Sequence, residues 1–495
     1  MSPVLRVILR NSLFGVVGEA ISGVLLFVVF IIIARWFGSS QFGTFSYILA
    51  FVGIFQLIAD FGLTNILVRE IARSREKVAE IVGAVRPLAW LFSALILVSV
   101  SAIAYPLSSS SEVYAATLLM AVAVLATFHS VIYGSVCRAH EEMGFNALGN
   151  AGHKVLLLGA VVLALTRDGG LLGVSIAFVA ANVAQGVFFY LVARRRYLRH
   201  LQWKVDPGYW RYLVSEAAPV GIAMIFRRLT LHADTLLLAA LSTSTAVGLF
   251  NVAYKLVQVV DMVPFTLALP LFPPLSRLAR ESKDKLHAVL SRVLSIFMIA
   301  GAPIAVWIFI SAPLIVSLLF GDNYRDAVPV LRILAPAIVF LFPGALYIYL
   351  FSAIGKQGLQ TLTAALCLGV NIALDLLLIP RYGHSGAAAA TLIAEGVFFA
   401  SGLWLLVRTG YRPPWLRTFV APIFIAVVTG APLAWSAGFG SWTLFIPASI
   451  LFAITYFLLI ILTGTLGAED RALLYGMWSR RVARHGKLAP APGVK

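Results

Sequence analysis

Charge and cysteine are both scarce in this 495-residue chain. Asp, Glu, Lys and Arg together supply 12% of it, about half the share of an ordinary globular domain, which argues against a soluble fold. Two cysteines, Cys137 and Cys367, lie far apart, within or at the end of apolar runs. That excludes a disulfide framework and a thiolate zinc site, and both read as core residues. No Gly-rich loop ending in Lys-Ser/Thr, no HExxH and no Cys-x-x-Cys occurs, so no built-in ATP motor or zinc centre is expected. No polar stretch exceeds about 30 residues, too little for a separate catalytic domain. The chain is therefore expected not to be an enzyme and to carry no metal or organic cofactor.

What is present is apolar sequence. Hydrophobic residues make up 60% of the chain, in recurring runs long enough to span ~30 Å of hydrocarbon. Backbone groups in lipid must bond within their own segment, so the runs should be helices. A membrane barrel would show short alternating strands instead. The expected fold class is all-α integral membrane, with about fourteen spans at 12–34, 44–66, 83–105, 113–136, 150–166, 171–193, 213–241, 246–272, 290–312, 328–352, 359–379, 385–408, 417–437 and 442–465. Span 150–166 is short. The stretch 290–320, with Pro303 and Pro313, reads either as one long kinked span or as a span plus a re-entrant piece. Arg6 and Arg10 precede an apolar run too long for a cleavable signal, so that run is a first span.

The net charge of +17 would suggest nucleic acid in a soluble protein. Here the basic residues sit between apolar runs, where they orient a membrane protein. Even-numbered connections are basic: Arg69, Arg73, Arg75 and Lys77, then Arg194, Arg195, Arg196, Arg199 and Lys204, then Arg277, Arg280, Lys283 and Lys285, then Arg408, Arg412 and Arg417. Odd-numbered connections hold little beyond Arg35, Arg167, Arg325 and Arg381. An imbalance of about 30 to about four places the rich side, with both termini, in the cytoplasm. The expected location is a bacterial cytoplasmic (inner) membrane, and no nucleic-acid partner is expected. Trp36, Trp203, Trp210, Trp415, Trp435 and Trp442 fall near span ends, as interfacial aromatics do. The tail 468–485 sets Leu473, Leu474, Met477 and Trp478 opposite basic residues, as a helix lying on an anionic leaflet would, although a plain solvated tail also fits.

The chain repeats itself at an offset of a little over 200 residues. Phe42-Gly43-Thr44-Phe45-Ser46 opens the second span and Val247-Gly248-Leu249-Phe250-Asn251 the eighth. Gln185-Gly186-Val187-Phe188-Phe189 in the sixth matches Glu395-Gly396-Val397-Phe398-Phe399 in the twelfth. Arg167-Asp168-Gly169-Gly170 and Arg381-Tyr382-Gly383-His384 precede those two spans. The expected organisation is a six-helix lobe at 1–200, a second at 201–410, two added helices at 411–467 and a basic tail at 468–495. Six spans per half make the repeats parallel, and two such lobes can rock about a central cavity.

Polar residues inside spans usually face a cavity or a partner. Polar stripes at helical spacing occur on the first two spans of each half: Ser12, Gly15, Glu19 and Ser22; Gly53, Gln56, Asp60 and Thr64; Arg227 and Asp234, with Arg228 and His232 alongside; Asn251, Lys255 and Gln258, with Asp261 close by. Arg227, Arg228 and Lys255 are the candidate substrate-binding cations, because Arg and Lys compensate phosphate and acidic sugars. An Arg227–Asp234 ion pair between helices is the structural alternative. Glu19, Asp60, Asp234 and Asp261 are candidate cavity acids able to couple an ion. Asp375, four residues after Asn371, and Glu395 form a second-lobe polar set, with an ion site and a structural hydrogen-bonding role both open. His232 reads as a packing or hydrogen-bonding residue rather than a metal ligand. Pro264, Pro270, Pro273, Pro274, Pro336 and Pro343 should kink or end helices.

Four blocks in order carry a family resemblance. Ala34-Arg35-Trp36-Phe37-Gly38 followed by Phe42-Gly43-Thr44-Phe45-Ser46, Asp60-Phe61-Gly62-Leu63 with Val68-Arg69-Glu70-Ile71-Ala72-Arg73, the Arg227–Asp234 and Val247–Lys255 stretches, and Phe320-Gly321-Asp322-Asn323-Tyr324-Arg325 running on to Arg332 are similar to those of polysaccharide (O-antigen-type) flippases. The resemblance covers about residues 10–465. It implies the multidrug/oligosaccharidyl-lipid/polysaccharide exporter superfamily, with two six-helix bundles around a cavity. It also implies a lipid-diphosphate-linked oligosaccharide turned to the outer leaflet, and coupling to a proton or sodium gradient. Membrane lipids, a glycan polymerase and glycosyltransferases are the expected partners. A peptidoglycan-precursor flippase, a drug/cation antiporter of the same superfamily, and a membrane glycan polymerase or ligase are the rivals. The basic cavity set argues against the antiporter, and the short outer loops argue against the enzyme.

Overall fold

A computed structural model describes residues 3–438 and 442–465, with side chains left undescribed at 3–17, 19–20, 219–220, 222–224, 227–228 and 357. The expected surface helix of the tail lies outside the described residues. Those residues are almost entirely helical, with no strand among them. In chain order the helices are α1 (Pro3–Asp60), α2 (Leu63–Arg73), α3 (Val78–Leu107), α4 (Ser111–Ala139), α5 (Met143–Thr166), α6 (Gly170–Arg196), α7 (Pro207–Leu241) and α8 (Ser244–Ala268). They continue as α9 (Phe272–Glu281), α10 (Lys283–Phe320), α11 (Ala327–Leu334), α12 (Ala337–Ala353), α13 (Gln357–Arg408), α14 (Ala421–Thr429), α15 (Ala431–Ala437) and α16 (Trp442–Leu462). The protein is a multi-pass membrane protein. Among the described residues nine helices are long and apolar enough to cross a bilayer, or eleven when each of two bent pairs forms one span.

Two of these helices double back on themselves. In α1 the backbone breaks at Gly38, whose φ of 69° suits a residue without a Cβ. Phe30 and Phe45 then meet with ring centroids 6.4 Å apart, whereas fifteen residues of straight helix would separate them by ~22 Å. In α13 the break is at Gly383, with φ 53°. Asn371 and Thr391, twenty residues apart, both reach Asp234. Each doubled helix therefore holds two antiparallel arms. Gly383 and Gly170 both take a left-handed conformation, although the two repeat motifs match Gly383 to Gly169, whose φ is -69°. The total of fourteen spans stands as the sequence's expectation.

Three expectations sharpen. The stretch 290–320 is one continuous helix, α10, running through Pro303 and Pro313; neighbours can satisfy the carbonyls a membrane proline frees. The short fifth span begins at Met143, giving α5 24 residues. Its first turns carry Asn146 and Gly149, polar and small residues that read as loop; Gly149 packs against Phe188 and Phe189 of α6. The tenth span is α11 and α12, bent by 45° where Pro336 intervenes.

The chain forms two compact units. One comprises Met1–Thr266, Val316–Leu334 and Thr361–Phe398; the other comprises Leu267–Ile315, Ala335–Gln360 and Phe399–Lys495. Within the first, α4 and α6 pack closely, as do α1 and α5. The loop before α7 and the first turn of α7 are tied to α3: the Arg86 guanidinium lies 4.9 Å from the Trp203 ring centroid, and the Trp210 indole N–H donates to the Ala84 carbonyl at 2.7 Å. Within the second unit, the fully buried Tyr456 of α16 donates its hydroxyl to the Ile299 carbonyl of α10 at 2.9 Å. Apolar side chains also cover the outer faces, for example Val98 at 68% and Phe424 at 67% exposure. Apolar surface on this scale suits lipid rather than water. Cys137 and Cys367 are buried and unpaired.

Candidate functional site

Two of the four sequence blocks lock together at the end of the first unit where α1 reverses. The buried Tyr324 hydroxyl donates to the Ala34 carbonyl at 2.8 Å. The Arg35 guanidinium donates through Nε to the Leu319 carbonyl at 2.8 Å and through a terminal nitrogen to that of Leu318. Arg35 thus caps the carbonyls at the end of α10, where the helix dipole favours a cation. Phe42 packs edge-on against the Tyr324 ring.

At the same end, α8 crosses the second arm of α1, and the contact is reciprocal. A Cβ on Gly43 would overlap the Ser244 carbonyl oxygen and lie 2.8 Å from the Gly248 nitrogen. A Cβ on Gly248 would overlap the Ser39 carbonyl oxygen and lie 3.2 Å from the Gly43 nitrogen. Gly43 and Gly248 are the glycines that the repeat equates, so each half contributes the same element to the crossing. Ser40 and Ser244 stand with hydroxyl oxygens 3.1 Å apart beside it. Close approach on small residues is how helices associate where lipid supplies no hydrophobic drive.

Further along the same two helices sits Lys255. Its ammonium donates to Gln258 Oε1 at 3.0 Å and lies 4.9 Å from the Phe30 ring centroid. It forms no ion pair with a carboxylate among the described residues. An amide and an aromatic face leave most of the cation's charge uncompensated. Asp261, one and a half turns on, is half-buried on α8. Gly53 admits His232: a Cβ there would lie 2.9 Å from the imidazole Nε2.

The second polar centre joins α7 to both arms of α13. Asp234 is 1% exposed. Its carboxylate accepts from the Asn371 amide at 2.8 Å and the Thr391 hydroxyl at 3.1 Å. Asp375, buried one turn after Asn371, stands within hydrogen-bonding reach of Asp234. Both Asp375 oxygens and Asn371 Oδ1 lack any donor. Two ionised carboxylates ~4 Å apart repel by about 4 kcal/mol even at an effective dielectric of ~20, so the pair requires a shared proton or a cation. The oxygen-only donor set suits a proton or a hard alkali cation rather than a transition metal, and no group of three His, Cys, Asp or Glu gathers among the described residues, here or elsewhere.

The structure thus unites Asp234 and Asp375, which the sequence assigned to separate sets, and adds Thr391. Thr391 lies one helical turn before Glu395, which is half-buried; that spacing was the available signal. Asp60 ends α1, and its Oδ1 accepts from the Thr64 backbone N–H at 3.1 Å and from the Thr64 hydroxyl, capping the start of α2. The side chains of Glu19, Arg227 and Arg228 lie outside those described.

Comparisons with known proteins agree with this architecture. At 14% identity the chain superposes on a structure of the lipid II flippase MurJ in an inward closed conformation, with a TM-score of 0.76 over 91% of this chain and 98% of that one. In sequence it is 22% identical to a putative O-antigen transporter of Shigella flexneri, over 81% of this chain and 98% of the relative. It is 21% identical to a probable low-salt glycan biosynthesis flippase of Haloferax volcanii, over 78% and 81%. It also spans about a third (35%) of an uncharacterised membrane protein of Methanocaldococcus jannaschii, at 25% identity. The family model described as polysaccharide biosynthesis protein matches residues 8–279, more than half the chain, and the protein belongs to that family.

Proposed function

We propose that the protein is a flippase that turns a polyprenyl-diphosphate-linked oligosaccharide from the cytoplasmic to the outer leaflet, for O-antigen, capsule or exopolysaccharide assembly. The observation that carries this reading is Lys255: a cation held inside a membrane-spanning helix with no carboxylate paired to it among the described residues. Such a group is costly in hydrocarbon unless an anionic ligand meets it. Arg227 and Arg228, on the helix before, extend the same chemistry toward phosphate or acidic sugar. The O-antigen transporter and glycan flippase among its relatives support the assignment.

Alternating access supplies the mechanism. The Gly43–Gly248 crossing seals one end, the outer one by the charge asymmetry, while the head group enters from the cytoplasm between two six-helix lobes. The polyprenyl tail stays in lipid. Separation of the crossing then opens the outer end. Asp234, Asp375, Asn371 and Thr391 bind the coupling proton or sodium ion; because Asp234 sits on α7 and its partners on α13, occupancy fixes how these helices stand against each other. Both termini lie in the cytoplasm, and a glycan polymerase and glycosyltransferases act on either side of this step.

The test is mass spectrometry of polyprenyl lipids from a strain lacking the protein. Accumulation of a complete lipid-linked repeat unit is expected. If none accumulates, and peptidoglycan precursors build up or drug efflux falls, the glycan assignment is wrong.

A further inference from the structure

A second polar cavity lies inside the N-terminal part of the first unit, apart from Lys255 and the acid pair. It has a volume of about 260 Å³, room for roughly nine water molecules at ~30 Å³ each. Residues of α1, α4, α5 and α6 line it: Gly18, Ser130 and Arg138, Asn146 and Asn150, and Gln185 on the far wall. No carboxylate is among its described lining residues.

The unsatisfied groups have one polarity. Arg138 spends one terminal nitrogen on the Ser135 hydroxyl at 3.0 Å, but its Nε is buried with no acceptor. The Asn146 amide nitrogen is also buried without one. The Gln185 amide N–H donates to Asn150 Oδ1 at 3.0 Å. Asp60, whose charge Arg138 feels, has its Oδ1 engaged by Thr64. A half-buried guanidinium with a buried, unpartnered Nε and an orphaned amide donor opening on one cavity call for a ligand that brings acceptors and negative charge. A cation would add to the repulsion, and a neutral hydroxyl would leave the guanidinium charge unmatched.

We infer that this cavity is an oxyanion subsite, in which Arg138 and Asn146 hold a carboxylate or phosphate group. The flippase reading bears only on the source of that group, an acidic sugar or the diphosphate linker; the binding chemistry stands without it. The test uses full-length protein in neutral-lipid nanodiscs, titrated with glucuronate, inorganic pyrophosphate and glucose, with unfolding temperature as the readout. Saturable stabilisation by at least one anion and none by glucose is expected. Response to glucuronate alone assigns an acidic sugar, and response to pyrophosphate alone assigns the linker. Arg138→Gln should weaken anion binding about tenfold or more, and Arg138→Lys should restore part of it. Equal stabilisation by glucose, no stabilisation by any probe, or anion binding unchanged in Arg138→Gln would overturn the subsite. Anion binding at Arg138 in a protein whose deletion traps no lipid-linked glycan would sink the flippase assignment and leave the subsite standing.

Discussion

Adding one methyl group at Gly43 should unseal the crossing of α1 and α8. The Cβ of Gly43→Ala would meet backbone: it overlaps the Ser244 carbonyl oxygen and stands 2.8 Å from the Gly248 nitrogen. Neither group can swing aside as a side chain would, so the helices must part until the methyl clears. Overpacking of this kind costs about 1–3 kcal/mol, and a shift of 1.4 kcal/mol changes a two-state ratio about tenfold. Gly43→Ala should therefore lower the closed population roughly 5- to 150-fold. Gly248→Ala should act in the same direction because the contact is reciprocal. Ser40 and Ser244 supply the assay, since their hydroxyl oxygens stand 3.1 Å apart. A Ser40→Cys/Ser244→Cys pair in membranes should crosslink rapidly under mild oxidation and stop glycan export until reduced. Introducing Gly43→Ala into that background should slow crosslinking by the same factor. Crosslinking at the parental rate in Gly43→Ala would refute the argument, because it would mean the crossing absorbs a side chain without separating.

Lys255→Ala should block export without lowering protein level, whereas Lys255→Arg should retain part of it; normal export by Lys255→Ala removes this residue from the binding role. Melting of the wild-type protein should be stabilised by sodium or by acidification, by about 2.7 kcal/mol at a hundredfold excess over Kd, and Asp375→Asn should abolish that response. An unchanged response would place the coupling ion elsewhere. Tyr324→Phe leaves the Ala34 carbonyl buried without its donor and should cost about 1–3 kcal/mol in denaturant midpoint. Tyr382→Phe, on an exposed ring, should cost nothing measurable, and equal effects would show that the Tyr324 bond does not stabilise the fold.

The sequence by itself determined the class of molecule. Apolar runs and sparse charge dictate membrane helices, because backbone amides in lipid have no other partner. It also marked Gly43 and Gly248 as equivalent, picked out Lys255 as a cation within a span, and flagged Asp234 and Asp375 as carboxyls in apolar surroundings. Periodicity reports which face of one helix is polar, not which helix it meets. Asp234 and Asp375 are 141 positions apart, and their pairing depends on α13 reversing at Gly383 so that Asn371, Asp375 and Thr391 arrive together. Arg138 escaped notice for a related reason: at the end of α4 it looks like one more basic residue beside a connection. Only packing of α1, α4, α5 and α6 buries its Nε against a cavity. The start of α5 was lost because Asn146 and Gly149 carry loop-like composition, yet inside the lobe they face protein rather than lipid. Local chemistry is written in the residue order; which buried groups must share an ion, a carbonyl or a ligand is decided by the helices that fold around them.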